Sequence, residues 1–167
     1  MTLPAIIAAL LAIAQHDGTP EEVTRYTVTA VALHVAVTEQ VPRWHGSRAE
    51  LEAATLVIID AESGMALAVH DGTKRGGKAV CIGQIEPSNG LWREYAARHE
   101  DLAGVDYAAT LACLRTVVRT LASARSICRK KRGKDKWAEM FTHYATGSKC
   151  KPSKLGLKRA RMMRRKL

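Results

Sequence analysis

Apolar residues recur at helical spacing along most of the chain. Residues 3 to 15 are almost entirely apolar, and the stretch from 53 to 59 is apolar on every side, which is typical of a buried central helix. Two later segments have a single apolar face. These faces consist of Leu111, Leu114, Val118, Leu121 and Ala122 in the first segment and of Trp137, Met140, Phe141 and Tyr144 in the second. The pattern predicts a mostly α-helical protein.

Capping motifs indicate where several of these helices begin and end. Thr19 with Glu22, and Ser47 with Glu50, have the spacing of capping boxes, so we expect helices to start just after Thr19 and Ser47. The second of these helices delivers Glu62 at its C-terminal end. The other boundaries are marked by a proline, an acidic cap and a glycine, which are Pro42, Asp106 and Gly147.

The helical period disappears between residues 64 and 83. Two turn signals, at residues 71–72 and 76–77, flank short apolar pieces at 66–69 and 79–82. We therefore expect a small irregular β-hairpin there, followed by a short helix that starts near residue 88. The predicted fold is a single, mostly helical domain with this hairpin beside a cleft.

Composition supports this fold class, and the charge distribution indicates what kind of partner the protein binds. The chain has 167 residues of which 5% are aromatic, which favours one helix-rich domain over an aromatic-rich β-sandwich. The net charge is +10, but residues 129–167 contain 15 basic and 2 acidic residues, so the other 128 residues carry −3. A cationic end of this kind favours contact with an anionic partner such as a wall polymer, nucleic acid or an acidic protein.

The last segment, residues 151–167, has eight basic residues, no acidic residue and no clean apolar stripe. We interpret it as a basic C-terminal tail on a domain that spans residues 1–150. Two alternatives remain open at this point, an electrostatic docking arm and a solvated end. In both, the domain is expected to keep its activity when the tail is removed.

Four cysteines, at positions 81, 113, 128 and 150, show no metal-binding spacing, and no metal or organic cofactor is expected. Cys113 and Cys128 cannot pair with each other, because one helix would hold them about 22 Å apart. Free buried thiols are the favoured interpretation, and disulfides remain open.

No apolar run reaches the length of a membrane-spanning helix, so we expect no transmembrane segment. The stretch from 3 to 14 loosely resembles the apolar part of a signal peptide. Because the first basic residue is Arg25, the charged start of such a peptide is missing, and a buried first helix is the favoured interpretation.

Glu62 is the main candidate for chemistry. It closes a helix that is otherwise apolar, and desolvation by Ile58 and Ile59 would raise the pKa of its carboxyl, as would the negative end of the helix dipole. A carboxyl group that stays protonated near neutral pH can serve as a general acid. The alternative is an exposed glutamate just past a helix end.

Three short motifs in order resemble the lysozyme-like lytic transglycosylases. Glu62-Ser63 closes a buried helix, residues 81–87 read Cys-Ile-Gly-Gln-Ile-Glu-Pro, and residues 144–147 read Tyr-Ala-Thr-Gly. The middle motif is similar to that of transglycosylases from conjugation and secretion systems, and its spacing is similar to that of goose-type lysozymes. The resemblance covers residues 48 to 148. Cys81 and Ala145 depart from it, since the family has Gly and Asn there.

The resemblance implies a role for each matching residue. Glu62 would be the catalytic acid and base, Ser63 would orient it, Gln84 would bind the sugar at the cleavage point, and Tyr144 would close the pocket. Glu86 lies where goose-type lysozymes carry an acid, so it would bind substrate or hold a water. The structural alternatives are a helix-end hydroxyl for Ser63, a loop amide for Gln84 and a core aromatic for Tyr144.

The resemblance implies cleavage of peptidoglycan glycan strands between N-acetylmuramic acid and N-acetylglucosamine. The expected location is the bacterial cell envelope or periplasm, or a phage virion. A transglycosylase would give 1,6-anhydro products and is favoured, whereas a second carboxylate such as Glu86 or Asp71 would give hydrolysis. The competing hypothesis is an inactive basic structural or virion protein that binds nucleic acid or cell wall on the same scaffold.

Overall fold

The computed structural model describes residues 1–14, 19–66, 69, 81–85, 105–130 and 135–166. Within these ranges 79% of the residues are helical, and no β-strand occurs in them. The prediction of a mostly helical protein is confirmed. The predicted hairpin and the short helix near residue 88 fall largely or wholly outside the described residues.

Six α-helices make up the described part of the chain. They are α1 (Leu3–Ala14), α2 (Pro20–Gln40), α3 (Arg48–Glu62), α4 (Tyr107–Arg129), α5 (Lys136–Thr146) and α6 (Lys154–Lys166), and a short 3-10 helix (Val41–Arg43) follows α2. The predicted caps are confirmed. Both capping boxes form, Asp106 accepts a hydrogen bond from the Ala109 N–H at 2.7 Å, and Gly147 ends α5 with a φ of 70°.

Helix α3 lies at the centre of the core. Every residue from 51 to 59 is buried, and the helix packs against α1, α2, α4 and α6. The prediction of a buried central helix is confirmed, since an all-round apolar surface needs neighbours on every side. The site at Glu62 is therefore attached to the least mobile kind of element that a small domain offers.

Helix α1 is part of the same core. Ile6, Leu10 and Ala14 are buried, at the four-residue spacing of one helix face, and α1 packs against α2 and α3. The prediction of a buried first helix is confirmed. None of the helices in the described ranges is long and apolar enough to cross a membrane.

Residues 154–166 form helix α6, which is packed onto α5 and α3. Its buried face consists of Gly156, Arg159, Ala160 and Met163, while Arg161 and Lys158 point outward. The expectation of a solvated end is wrong for residues 154–166, because this helix has a buried face and packs on two others. Docking of an anionic partner by this segment stays a prediction. The sequence pattern did not indicate this buried face, because two of its residues are small and one is charged. It therefore has no stripe of large apolar side chains.

Helix α6 approaches α5 closely at Gly156. A Cβ atom there would overlap Thr142 Oγ1 and the carbonyl oxygen of Ala138, so no larger residue fits. Beside this contact, the Ser153 backbone N–H donates to Thr142 Oγ1 at 3.0 Å. These contacts fix the position of α6 along α5.

The four cysteines form two disulfides, Cys81–Cys113 and Cys128–Cys150, so the interpretation as free thiols is wrong. The Cα atoms lie 6.3 Å and 5.3 Å apart, within the usual range for disulfides. Cys113 and Cys128 do not pair with each other, as predicted. Each of them binds a cysteine outside α4, and sequence spacing alone does not reveal such a pairing.

Reduction of the disulfides is expected to destabilise the protein strongly. Each bridge closes a loop of tens of residues, and its loss lowers the free energy of unfolding by about 3 kcal/mol, since the unfolded chain regains that conformational freedom. Urea unfolding with and without a dithiol reductant measures this difference. Titration of free thiols in the untreated, denatured protein is the control, and a count of four thiols would contradict both disulfides.

Candidate active site

Glu62 is the last residue of α3, and Ser63 closes the helix behind it. The Ser63 hydroxyl donates to the Ile59 carbonyl at 3.1 Å and accepts from the Met65 N–H at 3.2 Å. Both bonds go to the backbone at the end of α3, and neither reaches the Glu62 carboxylate. The Glu62 side chain lies at the rim of the core, 18% exposed.

The Glu62 carboxylate forms an ion pair with Arg159 of α6. The Nη2 group of Arg159 donates to Oε1 of Glu62, and the Arg159 side chain is only 3% exposed. Nε and Nη1 of the same guanidinium are buried without a hydrogen-bond partner among the described residues. Sequence reasoning missed Arg159 because it counted this residue among the charges of the tail. The signal that could have found it is its spacing from Gly156 and Met163, which places it on the buried face.

Tyr144 of α5 interacts with both members of this ion pair. Its hydroxyl donates to the Gly83 carbonyl at 3.2 Å. Burial raises the pKa of this hydroxyl, the negative charge of Glu62 raises it further, and the positive charge of Arg159 opposes the shift. Tyr144 is therefore a neutral hydrogen-bond donor across the physiological pH range. Its ring packs on the edge of the core, as the structural interpretation of Tyr144 expects.

Residues 81–85 form a tight turn beside Tyr144. The Gln84 N–H donates to the Cys81 carbonyl at 3.0 Å, and both residues have positive φ values, 52° and 61° respectively. A Cβ atom at Gly83 would overlap Val117 of α4, so the turn lies directly against that helix. The disulfide to Cys113 fastens the turn to the same helix.

The Gln84 side chain is used within the protein. Its Nε2 group donates to the Val69 carbonyl at 3.2 Å, which ties the turn to the segment after α3. The amide oxygen has no partner among the contacts of the described residues. Glu86, His70 and Asp71 lie outside the described residues.

The structure thus connects four of the residues singled out in the sequence. Glu62 interacts with Tyr144, Tyr144 binds the turn that holds Gln84, and Ser63 closes the helix that carries Glu62. Arg159 joins them as an additional member. The cluster contains an acidic group, a neutral hydroxyl donor and a cation with unused donor groups, which is a set able to bind and protonate a polar substrate.

Two further features lie away from this cluster. Donor atoms of Cys128, His143 and Cys150 lie within 4.8 Å of one another, but both sulfur atoms belong to a disulfide. A groove of about 560 Å³ lies between α2 and α4. Its charged lining residues are Glu39, Arg43, Arg115 and Arg119.

No protein-family model, curated protein or solved structure matches this chain.

We predict that Gly83→Ala pushes the turn away from α4. The added methyl group meets Val117, and overpacking of this kind costs about 1–3 kcal/mol in the free energy of unfolding. The matched test is Val117→Ala in the same protein, because it removes the atoms that clash. The two substitutions together should cost less than the sum of their separate costs in urea unfolding. Additive costs would mean that Gly83 does not contact Val117.

Proposed function

We propose that the protein cleaves peptidoglycan glycan strands as a lytic transglycosylase, with Glu62 as general acid and base. The observation that carries this proposal is the placement of Glu62. It stands at the end of a buried helix, within the electrostatic reach of Tyr144, whose hydroxyl binds the turn that holds Gln84. The same three positions match the motifs of the lysozyme-like transglycosylases.

Two details of the turn and its bridges support the proposal. Cys81 stands where the family has glycine, and its φ of 61° lies in the left-handed region that favours glycine. Disulfides are typical of oxidising compartments, and this protein has two. The bacterial cell envelope, or a virion that acts on it, is therefore the location that we propose.

The reaction needs one group that gives and takes a proton. Glu62 protonates the glycosidic oxygen as positive charge develops at the muramic acid C1, and the N-acetylglucosamine part leaves with a new C4 hydroxyl. The ionised Glu62 then removes a proton from the muramic acid C6 hydroxyl, whose oxygen bonds to C1. The product is a 1,6-anhydro sugar, and Glu62 regains its proton.

Two neighbours of Glu62 suit this course. In the described part of the chain, the side chains that interact with Glu62 are Arg159 and Tyr144. The neutral Tyr144 hydroxyl and the Gln84 amide can position the sugar for attack by its own C6 hydroxyl. Hydrolysis would instead use a second carboxylate near the sugar, and its two candidates, Glu86 and Asp71, lie outside the described residues.

The first prediction of this proposal is that Glu62→Gln abolishes the release of soluble fragments from purified cell wall. The amide has the shape of the carboxyl group but cannot donate and regain a proton, so the rate should fall by about a thousandfold or more. Asp60→Asn is the matched control, because it removes a carboxylate two residues earlier on the same helix. Circular dichroism should show both variants folded.

The products provide the contradicting outcome. Mass spectrometry of the released fragments should find 1,6-anhydro ends. Reducing ends throughout would show that the enzyme is a hydrolase and not a transglycosylase. Glu62→Gln protein that keeps most of the activity would exclude Glu62 as the acid.

A second candidate function is that of a cationic protein that binds an anionic polymer, without enzymatic activity. The observation that favours it is the groove between α2 and α4. Glu39 is neutralised there by Arg115, whose guanidinium donates to both carboxylate oxygens at 2.7 and 2.5 Å and holds the pKa of Glu39 below its usual value. Arg43 and Arg119 are exposed and have no ion pair with the described residues, so the groove has a net positive charge.

For this candidate we predict that Arg43→Gln with Arg119→Gln weakens binding of a single-stranded oligonucleotide at low salt. Two charge-assisted contacts are lost, so the affinity should fall about tenfold or more, with a smaller dependence on salt. The control removes the same number of charges from the outer face of α6, at Arg161 and Arg165, which are both exposed. Equal losses in the two variants would mean that net charge alone binds the polymer.

A further inference from the structure

One buried cation in the site has more donors than partners. The guanidinium of Arg159 has three nitrogens, of which Nη2 binds Glu62, while Nε and Nη1 are buried without an acceptor in the part of the chain that the structure describes. Buried N–H groups are nearly always hydrogen-bonded, since leaving one unpaired costs about 1–3 kcal/mol. An unpaired pair of donors on a side chain only 3% exposed is thus a feature that stability does not explain.

The donor set defines the chemistry of its acceptor. Nε and Nη1 each form a planar two-donor fork only together with Nη2, and the best partner of such a fork is an oxyanion with two oxygens. A carboxylate that binds through both of its oxygens must therefore take Nη2 from Glu62. Glycan strands that have lost their stem peptides have such a group, because the lactyl group of N-acetylmuramic acid then ends in a free carboxylate next to the bond that is cleaved. In strands that keep their peptides this carboxyl group is an amide. N-acetylglucosamine differs from N-acetylmuramic acid by lacking the lactyl group.

Charge balance then links substrate binding to the acid. Arg159 and Glu62 together are neutral, and Tyr144 adds no charge because its hydroxyl stays protonated. A second carboxylate in this buried cluster leaves one negative charge in excess, and two carboxylates close together favour the uptake of one proton. That proton is what a general acid needs before it can act.

We propose that Arg159 recognises a carboxylate of the substrate and exchanges Glu62 for it, so that substrate binding releases Glu62 and loads it with a proton. This inference rests on the proposed function, which supplies the glycan. Glu62 is the more exposed partner of the ion pair, at 18% against 3%, so the carboxylate enters on the Glu62 side. Arg159 thereby acts as a specificity-determining residue.

The test is titration calorimetry with three glycans of equal length. The first alternates N-acetylglucosamine with N-acetylmuramic acid that has a free lactyl carboxylate, the second has the lactyl group amidated, and the third is chitin oligosaccharide. The wild-type protein should bind the first about tenfold more tightly than the others, as expected for a charge-assisted hydrogen-bonded pair. Measurements in buffers of different ionisation enthalpy should show uptake of about one proton for the first glycan only.

Two variants assign the preference to Arg159. Arg159→Gln should bind the three glycans equally and show no proton uptake, whereas Arg161→Gln, on the exposed face of α6, should behave as the wild type. If Arg159→Gln does not fold, the pair Glu62→Gln with Arg159→Gln leaves no buried charge unpaired, and it too should lose the preference. Equal binding of the three glycans by the wild type, no binding at all, or a preference retained without Arg159 would overturn the inference.

Activity separates this inference from the proposed function. A wild-type protein that prefers the carboxylated glycan and takes up a proton, but cleaves neither that glycan nor cell wall, supports carboxylate recognition and excludes the enzymatic function. A protein that cleaves cell wall through Glu62 and binds all three glycans equally is an enzyme in which Arg159 does not recognise a substrate carboxylate.

Discussion

The ion pair between Arg159 and Glu62 is the contact on which the geometry of the candidate site depends. It links the central helix α3 to the last helix α6, across 97 positions of sequence, with the arginine almost completely buried. Buried ion pairs often contribute no net stability, because desolvation of the charges offsets their attraction. A fold that contains a buried ion pair must therefore hold both partners at hydrogen-bonding distance. This requirement constrains where α5 and α6 lie.

The contacts around α6 meet that requirement. Gly156 lets α6 lie directly on Thr142 of α5, and the bridge from Cys128 to Cys150 holds the segment that leads into α6. Farther along the helix, Arg164 donates to Asp135, the residue that caps α5, at 2.7 Å. Gly156 and Arg159 share the buried face of α6, so the helix cannot rotate about its axis without moving Arg159 away from Glu62.

Sequence reasoning predicted the parts of this arrangement that depend on local signals. Helix boundaries follow from capping residues within three or four positions, and the placement of Glu62 follows from the apolar run before it. The role of Arg159 could not be predicted in this way, because its partner is decided by how α6 packs, and a charge run looks the same whether or not one member is buried. The same holds for the disulfides, since Cys81 and Cys150 lie in irregular segments whose positions depend on tertiary packing.

The basic residues of α6 therefore lie in two different environments, one buried and one exposed to water. Arg159 lies inside the protein, where low polarity strengthens its attraction to Glu62. The outward cations of α6, such as Lys158 and Arg161, act in water, where salt screens them over about 10 Å. Net charge alone does not distinguish these roles. A basic terminal helix can thus supply both an internal counterion and a cationic surface, provided that one face of it finds a place in the core.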